Sequence, residues 1–362
     1  MKLKILTIIS AFALTSCISV NVTENRGTTP ETVSEKPKNI ILLIGDGMGL
    51  SQVSASFYYN KEKTNFERFR EIGLIKTSAS SDTITDSAAS ATAYATGEKT
   101  YNGAIGVKND TTAARTIVEI LSEKNIATGL VATSSIVHAT PASFFAHVRY
   151  RSMYEEIAEA LPASDIDFFA GGGLQFFNKR TDEKDLLSSL ISNGFDLHTE
   201  ELPTLLSEKK QAILLAENGM PKILEGRGDF LPNATKLAIE HLSKNEDGFF
   251  LLVEGSQIDW GGHSNDADYL ITEQLDFDKT IGVALDYAEK NGNTLVIVTA
   301  DHETGGFTLA AKDGNYNEIV PSFSTGNHST TLIPVFAKGP GDTLFNGIFD
   351  NTALFFKMMS FY

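Results

Sequence analysis

The chain has 362 residues, 42% of them hydrophobic and 21% charged, with a formal net charge of −16. That balance excludes a disordered or fibrous chain and is ordinary for a globular protein. The acid excess argues against nonspecific binding to nucleic acid and repels phosphate at long range, so any anion affinity must come from a local cationic site, either metals or clustered arginine.

In chain order, Met1-Lys2-Leu3-Lys4 is a positive end and residues 5–14 are a short apolar stretch, the pattern of an export signal. The stretch is too short to span a bilayer. Leu14-Thr15-Ser16-Cys17 resembles the lipobox of bacterial lipoproteins, so residues 1–16 are expected to be a signal peptide and Cys17 to carry lipid. An ordinary signal peptide that contains a cysteine is the alternative. Removing residues 1–16 takes away Lys2 and Lys4 and no acid, so 28 basic side chains face 46 acidic ones, a net charge of −18. Cys17 is the only cysteine, which excludes an intramolecular disulfide. Residues 17–38 lack apolar periodicity and read as a flexible tether. The expected location is the cell envelope, with membrane contact through the lipid anchor alone.

From residue 39 to the C-terminus the pattern is that of one domain. Apolar runs rich in β-branched residues at 39–44, 127–133, 249–253, 294–299 and 332–337 read as buried parallel strands. Helical patterns at 114–124, 153–160, 232–243 and 269–289 lie between them. This alternation predicts an α/β three-layer sandwich, a central, mostly parallel sheet with helices on both faces. Residues 168–228 are less regular and read as decoration of the core.

Ligands bind at the carboxyl ends of the strands in such sheets. Here the first run leads into Gly45-Asp46-Gly47-Met48-Gly49, and the second towards His138-Ala139-Thr140-Pro141. The third enters Glu254-Gly255-Ser256-Gln257-Ile258-Asp259, and the fourth Asp301-His302-Glu303. Asp259 and His263 are four apart and share one face of a helical turn. His328 sits just before the last run. Asp and His ligands without a thiolate suit a catalytic zinc site. Each pair alone is weak, because such spacings are common. His147, His198 and His241 read as surface residues. Ser87, in Thr85-Asp86-Ser87-Ala88-Ala89-Ser90-Ala91-Thr92-Ala93, is placed near a helix N-terminus that favours an anion, although a plain capped helix start would look the same.

The Gly45–Gly49 and Asp86–Ala93 segments, Thr100-Tyr101-Asn102-Gly103-Ala104, Val253-Glu254-Gly255 with Asp259 and His263, Thr299-Ala300-Asp301-His302, and His328 occur in one order. In that order they resemble the alkaline phosphatase family from about residue 39 to the C-terminus. The resemblance implies hydrolysis of small phosphate monoesters through a phosphoserine on Ser87. It implies two Zn2+ and one Mg2+ per subunit. Asp259, His263 and His328 would hold the first zinc, and Asp46, Asp301 and His302 the second. Asp46, Thr140 and Glu254 would hold the magnesium. Arg151 would clamp phosphate, with Arg149 as the alternative two residues away. The family is usually homodimeric. Some members carry Asp and Lys where this chain has His138 and Trp260, which implies less positive charge beside the phosphate, weaker product inhibition and a looser third cation. A sulfatase is disfavoured, because Ser87 is not in a C/S-x-P-x-R motif. A phosphodiesterase is disfavoured by Ser87, Arg151, Thr140 and Glu254 together. A non-catalytic phosphate- or metal-binding lipoprotein would need a lost ligand or nucleophile, and none is missing.

Overall fold

The computed structural model describes residues 36–362. The expected signal peptide, Cys17 and the tether up to residue 35 lie outside the described residues. Strands β1 (Asn39–Gly45), β2 (Glu71–Lys76), β3 (Ala127–Ser135), β4 (Phe168–Gly172), β5 (Phe195–His198), β6 (Lys210–Leu214), β7 (Phe249–Gly255) and β8 (Thr294–Thr299) come first. After them, β9 (Glu303–Thr304), β10 (Thr308–Lys312), β11 (Asn315–Ser322) and β12 (His328–Ser329) form two short antiparallel pairs, β9 with β12 and β10 with β11. Last come β13 (Ile333–Lys338) and β14 (Gly347–Asp350).

Among the described residues ten strands make the central sheet, in the order β14-β2-β13-β8-β1-β7-β3-β4-β6-β5. Residues Ile40 to Ile44 of β1 are fully buried, as an all-apolar strand must be when it is covered on both faces. Burying each such side chain stabilises the fold by about 1.5–3 kcal/mol as an upper estimate. Parallel neighbours β7 and β8 fix the register of β1, with Leu42 opposite Leu252 and Ile297. Helices complete the sandwich. The helix Ala267–Asn291 lies against β1, β7 and β8, and the helix Phe230–Leu242 against β3, β4 and β7.

Two sequence expectations need correction. The run at 332–337 is a strand, but β13 pairs antiparallel with both β8 and β2. An apolar run carries no sign of strand direction, and the long excursion after β8 lets the chain return from the opposite end. Residues 168–228 are not mere decoration, since β4, β6 and β5 continue the sheet in parallel beyond β3. Their brevity and the polar loops between them hid the pattern. In contrast, β8, β1, β7 and β3 are adjacent and parallel, so their carboxyl ends emerge side by side. Among the described residues no helix is long and apolar enough to cross a membrane.

Candidate active site

Each loaded loop begins where one of those four strands ends. After β1 the backbone must turn sharply. Gly47 takes φ +75°, and a Cβ there would stand 2.8 Å from the Asp259 Cα, so only glycine fits without strain. That turn buries Asp46 completely and lets the Gly47 N–H donate to Asp301 Oδ1 at 3.1 Å. After β7, Glu254 is fully buried and the helix Gln257–His263 brings Asp259 and His263 round on one face, with 3.4 Å between Asp259 Oδ1 and His263 Nε2. After β8, Asp301 and His302 are also fully buried. The β9–β12 pair then returns His328 to the same place, its ring stacked 3.5 Å from that of His302.

Ser87 is the first residue of the helix Ser87–Thr96, whose cap is Asp86 accepting from the Ala89 N–H at 2.9 Å. The capped helix start is observed, and the same residues present the Ser87 hydroxyl at its first position. Ser87 Oγ lies 3.3 Å from His302 Nε2. His302 Nε2 is in turn 3.2 Å from Asp301 Oδ2 and 3.6 Å from Asp46 Oδ1. His263 and His328 meet through their Nε2 atoms at 3.1 Å.

Among the described residues, three groups of side chains have ligand atoms close enough to share a cation. They are Asp46, Asp301 and His302; Asp259, His302 and His328; and Asp46, His138 and Glu254. The first is the set expected for the second zinc. In the second group His302 stands where His263 was expected, and His263 touches both other expected members from a more exposed position. In the third, His138 joins Asp46 and Glu254, and the Thr140 hydroxyl is buried nearby in the same loop.

The donor chemistry fits cations. Both Asp46 oxygens, Glu254 Oε1, Thr140 Oγ1 and His138 Nδ1 are buried without a hydrogen-bond partner, which is costly unless something else binds them. Burial, together with repulsion from Asp301 and Asp259, pushes the Asp46 carboxyl well above its ordinary range. Burial pushes Glu254 up to about 7, against the hydrogen bonds it accepts from Ser256 Oγ at 2.6 Å and Ser134 Oγ at 3.1 Å. Burial also raises Asp301 and lowers His302. Four acidic groups with so little local countercharge call for positive ions.

Arg151 is the cation at the mouth. Its Nη1 lies 3.0 Å from Asp86 Oδ2, and its Nη2 lies 3.5 Å from His138 Nε2. Arg149 is exposed, its carbonyl accepting from the Tyr101 hydroxyl, and of the two arginines it is Arg151 whose guanidinium meets Asp86 and His138. Burial, helped by Arg151, pushes His138 down to about 3 and keeps it neutral. Trp260 meets His138 edge-on with ring centroids 5.9 Å apart.

Several partners were not legible beforehand. Asp86 reads as a cap in the sequence but also fixes Arg151. Asn102 ties Asp86 N and Ile84 O together, and Ser134 and Ser256 hold Glu254. The Asn102 and Asp86 motifs carried the only signal. His147 is no free surface residue, because it is half-buried between Glu119 and the Gly106 carbonyl. His198 and His241 are also only partly exposed.

A family model described as Alkaline phosphatase matches residues 37–323. Alkaline phosphatase 3 of Bacillus subtilis is 39% identical over 87% of this chain and 72% of its own length. The alkaline phosphatase of Escherichia coli is 33% identical over 91% of this chain and 87% of its own. Among solved structures, the alkaline phosphatase from the Antarctic bacterium TAB5 superposes with a TM-score of 0.89 at 55% identity, covering 90% of this chain and 98% of that one. A histidine-to-aspartate mutant of the TAB5 enzyme, described with magnesium bound in its M3 site, gives the same TM-score at 56% identity.

Proposed function

The chain belongs to the alkaline phosphatase family and is a metal-dependent phosphatase, and from that premise we propose that it cleaves phosphate monoesters through a phosphoserine on Ser87 with two zinc ions and one magnesium ion per subunit. The observation that carries this reading is the convergence of Ser87 Oγ, His302 Nε2, Asp46 and Asp301 beside buried, unpartnered ligand atoms.

Asp46, Asp301 and His302 would hold one zinc, Asp259, His263 and His328 the other, and Asp46, Thr140 and Glu254 the magnesium. When bound, these ions would lower the hydroxyl pKa of Ser87 and offset charge on the phosphate and the leaving oxygen. The chain's own residues do the rest. Asp86 fixes the start of the helix, so the Ser87 hydroxyl is presented where the free N–H groups and the helix dipole favour a dianion. Arg151 can clamp two phosphate oxygens with its planar fork while Asp86 holds the fork still. Ser87 Oγ bonds to phosphorus as the bond to the leaving alcohol breaks, and water then cleaves the Ser87–phosphorus link to release inorganic phosphate. Holding the partners in line supplies much of the acceleration. His138, kept neutral, and Trp260 add no charge at the phosphate.

We assign residues 39–362 to the catalytic domain, and export with anchoring at Cys17 and homodimer formation remain part of the same proposal. The rate ratio for nitrophenyl phosphate, its diester and its sulfate tests the reaction class. The monoester should lead by orders of magnitude, and Ser87→Ala should abolish that lead. Equal or faster turnover of the diester or the sulfate would remove the monoesterase reading, and zinc loading without any hydrolysis would favour a phosphate-binding lipoprotein.

A further inference from the structure

We propose that Thr304 is a positioning residue that joins the two candidate zinc-ligand sets and fixes the tautomer of His302. The proposal rests on the two-zinc reading above. Thr304 is fully buried on β9, two residues beyond His302. Its Oγ1 lies 2.5 Å from Asp259 Oδ1 and 3.2 Å from His302 Nδ1. A hydroxyl has a single proton, and a carboxylate only accepts, so that proton goes to Asp259. The Thr304 oxygen is then left to accept, and the group facing it must be Nδ1–H of His302. The lone pair of the ring is thereby confined to Nε2, the nitrogen that faces Ser87 Oγ, Asp46 and Asp301. One hydroxyl thus orients a carboxylate of one set and selects the ligating nitrogen of the other.

The surroundings hold this hydroxyl rigidly. The Thr304 N–H donates to Gly47 O at 3.1 Å, and Gln52 Nε2 donates to Thr304 O at 2.9 Å. Added Cβ atoms at Gly47 and Gly262 would come within 2.8 Å of Thr304 Oγ1 and 3.0 Å of its Cγ2, so both glycines make room for this side chain. His328 is its cross-strand partner. The adjoining Glu303 accepts from Gln52 Nε2 at 2.9 Å and from the Ser329 hydroxyl, tying β9 to the strand that carries His328. The segments bearing Asp46, Asp259, His302 and His328 all touch Thr304. A buried threonine whose hydroxyl merely satisfied core polar groups would show no selective link to metal binding.

The test compares Thr304→Val, which keeps the shape and removes the hydroxyl, with Thr304→Ser, which keeps the hydroxyl. Zinc affinity of the metal-stripped proteins is measured by competition with a chromogenic chelator. The His302 tautomer is read from ring 15N shifts in the stripped protein. Thr304→Val should bind zinc about ten- to a hundredfold more weakly, as removal of a partner behind a metal ligand does elsewhere. It should also gain the Nε2–H tautomer, and Thr304→Ser should restore both properties. Wild-type zinc affinity and tautomer in Thr304→Val would overturn the inference, as would equal losses in both variants. If Thr304→Val fails to fold, Thr304→Ser and Thr304→Ala give the same comparison. Failure of the unaltered protein to bind zinc would instead sink the two-zinc reading itself.

Discussion

Asp86 serves two elements at once. Its Oδ1 caps the helix that begins at Ser87, and its Oδ2 meets Arg151 Nη1 at 3.0 Å. The Ser87 hydroxyl and the Arg151 guanidinium, the proposed nucleophile and phosphate clamp, are thereby set against each other by one carboxylate. Asp86→Ala should lose about 1 kcal/mol of stability from the cap. It should also free the guanidinium, so that KM for nitrophenyl phosphate and the inhibition constant for inorganic phosphate both rise. Steady-state kinetics with a thermal melt check both, and an unchanged phosphate inhibition constant would separate Asp86 from the clamp.

His138, in edge-on contact with Trp260, puts a neutral ring beside Asp46, Glu254 and Arg151. The double variant His138→Asp/Trp260→Lys should bind inorganic phosphate more tightly and magnesium more tightly, since a carboxylate joins Asp46 and Glu254 while an ammonium faces the phosphate. Phosphate inhibition and magnesium titration against the parent measure this. No change in either would leave Trp260 as packing beside the site and nothing more.

The strand ends, and most of the chemistry on them, were legible in the sequence because an apolar run followed by Gly-Asp or Asp-His leaves its mark locally. What escaped is non-local. The Asp86–Arg151 pair spans 65 positions, and the Ser134–Glu254 bond spans 120. Neither leaves a spacing to find. The direction of β13 and the pairing of β4, β6 and β5 escaped for the same reason, because a short apolar run fixes neither direction nor neighbour. His147 reads as a surface residue in the sequence because its partner Glu119 lies in a capping box 28 positions away.

That His147–Glu119 pair gives a pH dependence of stability. The hydrogen bond that His147 donates to Glu119 raises the imidazole above its ordinary 6.5, with the Gly106 carbonyl helping. Burial alone would raise the Glu119 carboxyl, but the bonds from His147 and Thr116 together pull it down to about 2. For the histidine, stability is fully present below the unfolded value of 6.5 and is lost as pH rises through the higher folded value. For the carboxylate it is present above 4.5 and lost as pH falls towards 2. The pair therefore contributes most between those limits, and its support fades on the alkaline side. In His147→Gln the fall of melting temperature from pH 6 to pH 8 should be shallower than in the parent. Parallel curves would show the pair to be inert.

Removal of cations should loosen the fold at the carboxyl ends of the strands. With zinc and magnesium each at a hundredfold excess over their dissociation constants, each site adds about 2.7 kcal/mol. Chelation should therefore lower the melting temperature by several degrees, and metal addition should restore it. A melt indifferent to chelation would mean that the buried Asp46, Glu254 and Asp301 carboxylates are satisfied by something other than metal.

The most direct test of the account is to incubate the metal-loaded protein with radiolabelled phosphate, quench at low pH and map the label. The account predicts phosphoserine at Ser87 and no stable label in Ser87→Ala. Label on any other residue, or undiminished label in that variant, would contradict it.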